Sequence, residues 1–167
     1  MRPDDFAGYW IFKVVHRMGN LFSDLLQAYC TAHDLPYVIT PSQWAALAWL
    51  DEADGIPIGT LAQHLDIEAS VTTGIVQRLE HHSLLERVHD REDRRLVKIF
   101  LTTRGRELAH MLEPVAMAFH ERLFQGFSSE EQRVFLVCLQ HLDSSLPDSS
   151  RDLLSLLLSN ESKGDQS

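Results

Sequence analysis

Hydrophobic residues recur every three to four positions along most of the chain, and this period predicts a mainly helical protein. The first helix is expected over residues 6–32, which carry a long apolar stripe from Ile11 to Leu26. Asp4 or Asp5 is expected to cap the N-terminus of this helix, because aspartate side chains accept hydrogen bonds from the first free backbone N–H groups.

Three shorter helices should follow the first one. A second helix is predicted from Pro41 to about residue 54, since Thr40 is a favourable N-cap and proline suits the first helical position. The third helix should cover residues 58–65 and the fourth residues 67–82, with a tight turn between them.

The hydrophobic period changes from helical to alternating after residue 84. The segments LERVH and LVKIFL are short and rich in β-branched residues, so they predict two strands joined by the polar loop DREDRR. A helix should restart at LTTRG with Thr102 or Thr103 as its cap, and Pro114 is expected to kink it. The segment SSEEQ contains a capping box, with either serine as the cap, and opens the last long helix.

This order of elements predicts a mainly α protein with a small β-hairpin. A short helix, a tight turn, a second helix and a charged hairpin together indicate a winged helix-turn-helix, in which the hairpin is the wing. A generic mixed helical domain is the alternative at this point.

Helical phasing divides the fourth helix into two faces. At about 100° per residue, one narrow polar stripe collects Ser70, Thr73, Gly74, Gln77 and His81, with Arg78 at its edge. The opposite face collects Val71, Ile75, Val76 and Leu79. Thr72 falls on the apolar face, so we expect it to be buried with its hydroxyl bonded to the preceding turn. Thr73 should face outward.

The polar stripe suits the major groove of DNA, because glutamine reads adenine and arginine holds phosphate. An ordinary solvated helix face is the alternative. Gly74 sits mid-helix, where glycine costs roughly 1 kcal/mol relative to alanine. Either the glycine is tolerated there, or the stripe must approach something closely.

The hairpin loop is a second candidate DNA contact. Arg91, Arg94 and Arg95 fit a narrow minor groove, where the negative potential is strongest, and carboxylates such as Asp93 can orient them. A self-neutralising surface loop is the alternative. The net charge of −9 argues at first against a nucleic-acid partner. However, residues 60–106 hold eight lysines and arginines against seven acidic residues, so this segment is +1 and the remainder −10.

The sequence shows no catalytic centre. The nine histidines and two cysteines lack metal-site spacing, and neither a nucleophile motif nor a phosphate-binding loop is present. The chain has no apolar run of about 18 residues and no secretory layout at its start, so we expect a cytoplasmic protein without a membrane partner. Cys30 is either a redox sensor or, as is more usual, a small buried hydrophobe.

Residues 56–108 resemble the MarR family of transcriptional regulators. The matching pieces are LAQHLDI, RLEHHSLLER, the loop DREDRR and LTTRG, and the likeness extends over roughly residues 40–146. It implies a homodimer of winged-helix lobes on a pseudo-palindromic, double-stranded operator, with recognition helices in major grooves and wings in minor grooves. By motif match, Arg95 is the minor-groove arginine and Asp93 its orienting partner, while Ser70, Thr73 and Arg78 occupy contact positions.

The resemblance also implies a division of the chain. Residues 1–38 would be an N-terminal dimerisation helix, 39–102 the DNA-binding lobe, 103–147 the C-terminal dimerisation helices and 148–167 a short helix with a flexible tail. The family often has arginine where this chain has Gly74, which changes the expected base contacts.

The family commonly senses small aromatic carboxylates or phenols between the dimerisation helices and the lobe, and it needs no cofactor. The candidate ligand-binding residues are Lys13, His16 and Arg17 for a carboxylate, and Trp44, Trp49 and His110 for the walls. The alternatives are a zinc- or redox-responsive regulator of the same fold, a small helical enzyme and a winged-helix interaction module that does not bind DNA. Pro114 stands where a second zinc-binding histidine would follow His110, which weakens the zinc alternative.

Overall fold

The computed structural model describes residues 2–90 and 96–147, together with residue 154. Its helices are α1 Ala7–Ala32, α2 Pro41–Glu52, α3 Ile58–Leu65, α4 Ala69–His81, α5 Thr103–Leu123 and α6 Ser129–Ser145. Its strands are β1 Ile56–Pro57, β2 Leu85–His89 and β3 Val97–Leu101. The chain forms two compact units, residues 1–121 and residues 122–167. No helix in the described ranges is long and apolar enough to cross a bilayer.

The start of α1 differs from the prediction. Neither Asp4 nor Asp5 caps this helix, whose N-cap is Phe6, without a side-chain hydrogen bond. The two aspartates lie in a 3-10 turn, where Asp5 Oδ2 accepts from the Arg2 backbone N at 3.0 Å and Asp4 Oδ1 lies 3.5 Å from Arg2 Nε. Because both carboxylates bind the arginine before them, they do not reach the first turn of α1.

The later helix caps follow the predicted chemistry. Thr40 Oγ1 accepts from Gln43 N at 3.3 Å, and Gln43 Oε1 accepts from Thr40 N at 2.9 Å, a reciprocal box whose second half the sequence prediction missed. In the second unit, Ser128 rather than Ser129 is the N-cap of α6. Hydrogen bonds from Ser128 Oγ and its backbone N hold the pKa of Glu131 below its usual range.

The predicted hairpin supplies two strands of a three-stranded antiparallel sheet. β2 pairs with β3 in the register Leu85↔Leu101 and Arg87↔Ile99, as a hairpin should. The sequence prediction missed β1, which pairs with the other edge of β3 through Ile56↔Ile99 and gives the order β1-β3-β2. A two-residue strand has too few positions to alternate, so its sequence carries no strand pattern.

The core of the first unit lies among α1, α2, α4, the sheet and α5. Its largest fully buried side chains include Leu26, Ile39, Leu47, Leu79 and Leu112. Cys30 packs within this core with 1 % of its surface exposed, as a small hydrophobe does. α5 runs through Pro114 and continues to Leu123, so the proline does not end the helix.

Candidate nucleic-acid interface

The helix-turn-helix consists of α3, a short turn and α4. Leu61 and Ala62 are buried and hold α3 against the core. Asp66 ends α3 in the left-handed conformation, with φ 50° and ψ 46°, which aspartate tolerates better than most residues. This reversal places the start of α4 immediately after α3, as the predicted tight turn requires.

The inner face of α4 has the predicted phase, apart from one residue. Thr72 is fully buried and its Oγ1 donates to the Glu68 carbonyl at 3.1 Å, so both parts of that prediction are confirmed. Ile75, Val76 and Leu79 are buried beside it. Val71 was predicted on the same face but is 50 % exposed, because it lies at the edge of an apolar face that is narrower than the phasing suggested.

The outer face of α4 carries the polar stripe. Its exposed members are Ser70, Gln77, Arg78 and His81, and its half-buried members are Thr73 and Gly74. The two hydroxyls are turned back onto the helix, since Ser70 Oγ donates to Glu68 Oε2 at 3.2 Å and Thr73 Oγ1 donates to the Ala69 carbonyl at 2.7 Å.

Gln77 and Arg78 are the most available polar groups of the stripe. Within the described ranges, neither side chain has a hydrogen-bond or ion-pair partner in the chain. An amide and a guanidinium presented together on one exposed helix face are the groups that read base edges and hold phosphates.

The space above Gly74 is open. Among the residues that the structure describes, a Cβ placed there would meet only Arg78 Nη1, at 3.7 Å, which is an ordinary van der Waals contact. The fold of the chain therefore does not require glycine at this position.

The hairpin is tied to the end of α4. Arg87 Nε on β2 lies 3.0 Å from Glu80 Oε2 on α4. Arg87 and Glu80 interact as an ion pair without a hydrogen bond, because Arg87 Nε and Nη2 are shielded from solvent and have no hydrogen-bond partner among the described residues. This ion pair links the orientation of the hairpin to that of α4.

The stem of the hairpin is closed by contacts that the sequence did not predict. Asp90 N donates to the Leu96 carbonyl at 2.9 Å, and Lys98 Nζ lies 2.8 Å from Asp90 Oδ2. Arg91, Asp93, Arg94 and Arg95, the predicted minor-groove group, lie outside the described residues, so their role stays a prediction.

The LTTRG segment joins the hairpin to α5. Thr102 Oγ1 donates to the Ser83 carbonyl at 2.8 Å and accepts from Gly105 N at 3.0 Å, so Thr102 is the cap that the sequence predicted. A Cβ on Gly105 would lie 2.0 Å from the Leu84 carbonyl oxygen. The glycine is therefore required by the close approach of α5 to the segment just before β2.

A charged network lies beside this junction. Arg106 Nη1 binds Asp51 Oδ1 at 2.9 Å, and Arg106 Nη2 binds Asp54 Oδ2 at 2.7 Å. Asp54 Oδ1 accepts from Leu101 N of β3 at 2.9 Å, and His110 Nε2 lies 3.0 Å from Asp51 Oδ2. No sequence pattern predicted this network, since its partners are at least 47 residues apart along the chain.

An aromatic cluster lies at the end of α4. The His82 ring lies tilted against the buried ring of Tyr37, with the ring centroids 4.6 Å apart, and the Arg104 guanidinium lies 5.4 Å from the Tyr37 ring. Burial, with His81 and Arg104 nearby, lowers the pKa of His82 below its ordinary value.

Among the predicted ligand-binding residues of the described chain, Trp44 and Trp49 come together, whereas Lys13, His16 and Arg17 on α1 do not join them. On α1, Lys13 Nζ lies 4.7 Å from the Trp10 ring centroid and His16 Nε2 contacts Asn20 Nδ2 at 3.2 Å, while Arg17 is exposed.

The three predicted wall residues divide between two surroundings. Trp44 packs edge-on against Phe22 and lines a cavity of about 160 Å³ between α2 and α5. Trp49 stacks on His64 at 4.4 Å and, together with Trp44, lines a second cavity of about 240 Å³ on α2. His110 reaches the first cavity only through its contact with Asp51. Among the described residues, no group of three or more histidines, cysteines and carboxylates could hold a metal ion.

Comparison with known proteins points to transcriptional regulators. A profile of the MarR family matches residues 39–97. The uncharacterized HTH-type transcriptional regulator YsmB of Bacillus subtilis (strain 168) is 34% identical over 108 residues, which are 63% of this chain and 74% of that protein.

Two solved structures have the same architecture. A transcriptional regulator of the MarR family from Silicibacter pomeroyi has 27% identity and a TM-score of 0.67, over 89% of this chain and 95% of that chain. The S. aureus MepR–DNA complex has 24% identity and a TM-score of 0.73, over 84% of this chain and 98% of that chain. The likeness to MepR concerns the fold.

Proposed function

Because the chain belongs to the MarR family of transcriptional regulators, we propose that it is a homodimeric, cytoplasmic repressor that a small molecule releases from its operator. Its relatives are regulators rather than enzymes. The observation that carries the proposal is the exposed polar stripe of α4, on a helix that a short turn precedes and a hairpin follows.

The stripe supports a major-groove contact. Gln77 and Arg78 are exposed side by side and unpartnered within the described residues, while Thr72 and its buried neighbours fix the helix behind them. A structure of similar fold, MepR, has been solved with DNA. In the proposed complex Gln77 reads a base edge and Arg78 holds a phosphate, while Arg91, Arg94 and Arg95 enter the minor groove.

Exposed apolar side chains support the homodimer. On α1, Phe12 is 73 % exposed and Val15 62 % exposed. α6, in the second unit, has no buried residue and exposes Leu136 and Val137. Apolar faces of this extent normally mark an interaction surface in a water-soluble protein. A second copy of the chain that packs on α1 and on α6 would bury the exposed apolar side chains of both helices.

The effector is proposed to be a small aromatic molecule. The sequence resemblance implies an aromatic acid or phenol. Bordetella bronchiseptica BpsR, a protein of similar fold, is regulated in its DNA binding by 6-hydroxynicotinic acid (22% identity, TM-score 0.66). Trp44 offers an uncharged or cationic aromatic ring a wall in the cavity between α2 and α5. A ligand that binds more tightly to a dimer whose lobes are spaced unsuitably for DNA would shift the population towards that dimer and so weaken DNA binding.

A gel-shift titration with the DNA upstream of the chain's own gene tests the proposal. The wild-type chain should give a retarded band, and an excess of an unrelated duplex of equal length should compete poorly for the protein in that band. The substitution Arg78→Ala should weaken binding by the dimer about 30- to 1000-fold, since it removes one charge-assisted phosphate contact of roughly 1–2 kcal/mol from each of the two copies of α4. Glu107→Gln, an exposed change on α5, is the control and should bind as wild type. Absence of any band at low salt contradicts the proposal.

A further inference from the structure

The cavity between α2 and α5 is lined by groups of one charge sign. Its lining residues are Trp44, Ala48, Asp51, Glu52, Ala109 and Glu113. They supply three carboxylates, one indole ring and two methyl groups, and no basic side chain. With a volume of about 160 Å³, the cavity is close to the roughly 150 Å³ that accommodates a benzene-sized ring.

We propose that this cavity binds a small organic cation that carries a single aromatic ring. The inference rests on the proposed function, in which a small aromatic molecule controls DNA binding, and it assigns the charge of that molecule. The Trp44 ring packs perpendicular to Phe22 with the ring centroids 5.0 Å apart, so the indole that lines the cavity is held in place, and an indole is the aromatic group that attracts a cation best.

Two of the three carboxylates are available to such a ligand. Glu52 and Glu113 are exposed and, within the described part of the chain, have no ion-pair partner. An aromatic carboxylate in the same cavity would face these like charges at short range, which is unfavourable. An ammonium group would be attracted to them.

The third carboxylate connects the cavity to the hairpin. Asp51 lines the cavity and binds Arg106, which also binds Asp54. Asp54 in turn accepts a hydrogen bond from Leu101 N on β3. A bound cation competes with Arg106 for Asp51, so it changes the support of β3 and, through that strand, the position of the wing.

The basic residues of α1 would favour an anionic ligand, the opposite of the cation proposed for the cavity. Lys13, His16 and Arg17 were predicted to receive a carboxylate, but none of them lines this cavity. An aromatic acid that binds this chain therefore has to bind at a different surface, and the sign of the ligand distinguishes the two locations.

Three probes of matched ring size test the inference on the full chain. Benzylamine, benzyl alcohol and benzoate are titrated by calorimetry at pH 7.5 and constant ionic strength, with thermal shifts as a second readout. Benzylamine should bind, and benzoate should bind at least tenfold more weakly or not at all. Glu113→Gln should weaken benzylamine roughly two- to fivefold, the effect of one exposed charge pair. Glu107→Gln, on the same helix outside the cavity, should bind it as wild type.

The outcomes separate the ligand class from the proposed function. Stronger binding of benzoate than of benzylamine overturns the inference, as does absence of benzylamine binding or benzylamine binding that Glu113→Gln leaves unchanged. A gel shift without ligand is run in parallel. If benzylamine binds as expected but no DNA is bound, the cavity assignment stands and the repressor proposal fails. If the chain binds DNA but does not bind benzylamine, the inference about the cavity is wrong and the repressor proposal stands.

The connection to the hairpin has its own readout. Benzylamine at saturating concentration should lower the affinity of the wild-type chain for its upstream DNA. Arg106→Gln removes the link between Asp51 and Asp54, so this variant should still bind benzylamine but lose most of the effect on DNA. An undiminished response in Arg106→Gln would show that the signal does not pass through this arginine.

Discussion

Gly74 is the weakest helix former at the centre of α4, although among the described residues only Arg78 Nη1, at 3.7 Å, comes near the space above it. The substitution Gly74→Ala should therefore raise the free energy of unfolding by up to about 1 kcal/mol. If the open space serves a close approach of DNA, the same variant should bind operator more weakly. Denaturant unfolding and a gel shift measure the two effects. Unchanged or tighter DNA binding would mean that the glycine is merely tolerated.

The adjacent threonines provide a second test of single residues. Thr73→Ala should weaken DNA binding with a shift of melting temperature of no more than a few degrees, because Thr73 lies on the outer stripe. Thr72→Val should leave both properties nearly intact, because valine fills the same buried space and the Glu68 carbonyl keeps its bond from the Thr72 backbone N–H. Strong loss of DNA binding in a stable Thr72→Val protein would contradict the assigned phase of α4.

Sequence periodicity accounts for single residues only where the helix itself decides their surroundings. It predicted the burial of Thr72 and the outward stripe, since 3.6 residues per turn fixes both. It misjudged Val71, because the width of a buried face depends on the neighbouring elements. It had no means of pairing Arg106 with Asp51 and Asp54, since that contact exists only once α2, β3 and α5 are packed.

Among the structural elements, the junction between α5 and the hairpin depends most strongly on a small residue. Gly105→Ala places a Cβ within 2.0 Å of the Leu84 carbonyl oxygen, so backbone must move. We expect a loss of roughly 2–4 kcal/mol in the free energy of unfolding, as for other severe overpacking. Gly59→Ala on α3 is the matched control, because no atom lies within 4 Å of the new methyl group. Equal stability of the two variants would contradict the close approach.

The end of α4 should respond to pH through His82. Burial lowers its pKa below the ordinary value of 6.5, helped by His81 and Arg104, so the folded chain favours the neutral ring. Below that value the unfolded chain takes up the proton more readily. This contribution to stability is therefore complete above pH 6.5 and is lost as the pH falls towards the folded pKa. Melting temperatures between pH 7.5 and 5.5 should fall less in His82→Gln than in wild type or in the control His33→Gln, and equal falls would contradict the assignment.

The elements that carry a strong local signal are also those that the sequence predicted. All six helices of the described residues and the two hairpin strands follow from the hydrophobic period, and the caps Thr40, Thr102 and Ser128 follow from capping chemistry, although the sequence left Thr103 and Ser129 open as alternatives. The two exceptions have different causes. β1 is too short to show a pattern, and Asp4 and Asp5 bind Arg2 instead of the helix, a local competition that composition does not reveal.

At the scale of the whole molecule, the exposed apolar helices lead to a testable oligomeric state. Val15→Glu places a charge on the exposed face of α1, and it should shift the chain from dimer towards monomer and abolish operator binding. Val38→Glu is the matched control, because Val38 is also about half exposed but lies outside the helices. Sedimentation equilibrium measures the mass against the 19.1 kDa of one chain. A dimeric Val15→Glu protein would remove α1 from the proposed interface.

The net charge of −9 makes DNA binding narrow in orientation and sensitive to salt. The segment that includes α4 and the hairpin has a charge of +1 while the rest of the chain has −10, so attraction to DNA should come from that part of the chain. Affinity should fall steeply between 50 and 200 mM salt, by roughly tenfold or more if several phosphates are contacted.

Selection from a random double-stranded DNA library at moderate salt tests the central claim most directly. A homodimer that reads DNA through two copies of α4 should enrich an inverted repeat, with half-sites about 10 base pairs apart from centre to centre or a multiple of that spacing. The double variant Gln77→Ala/Arg78→Ala should fail to enrich the same repeat. Recovery of no sequence above the starting library, or of a repeat that the double variant enriches equally well, would contradict the account.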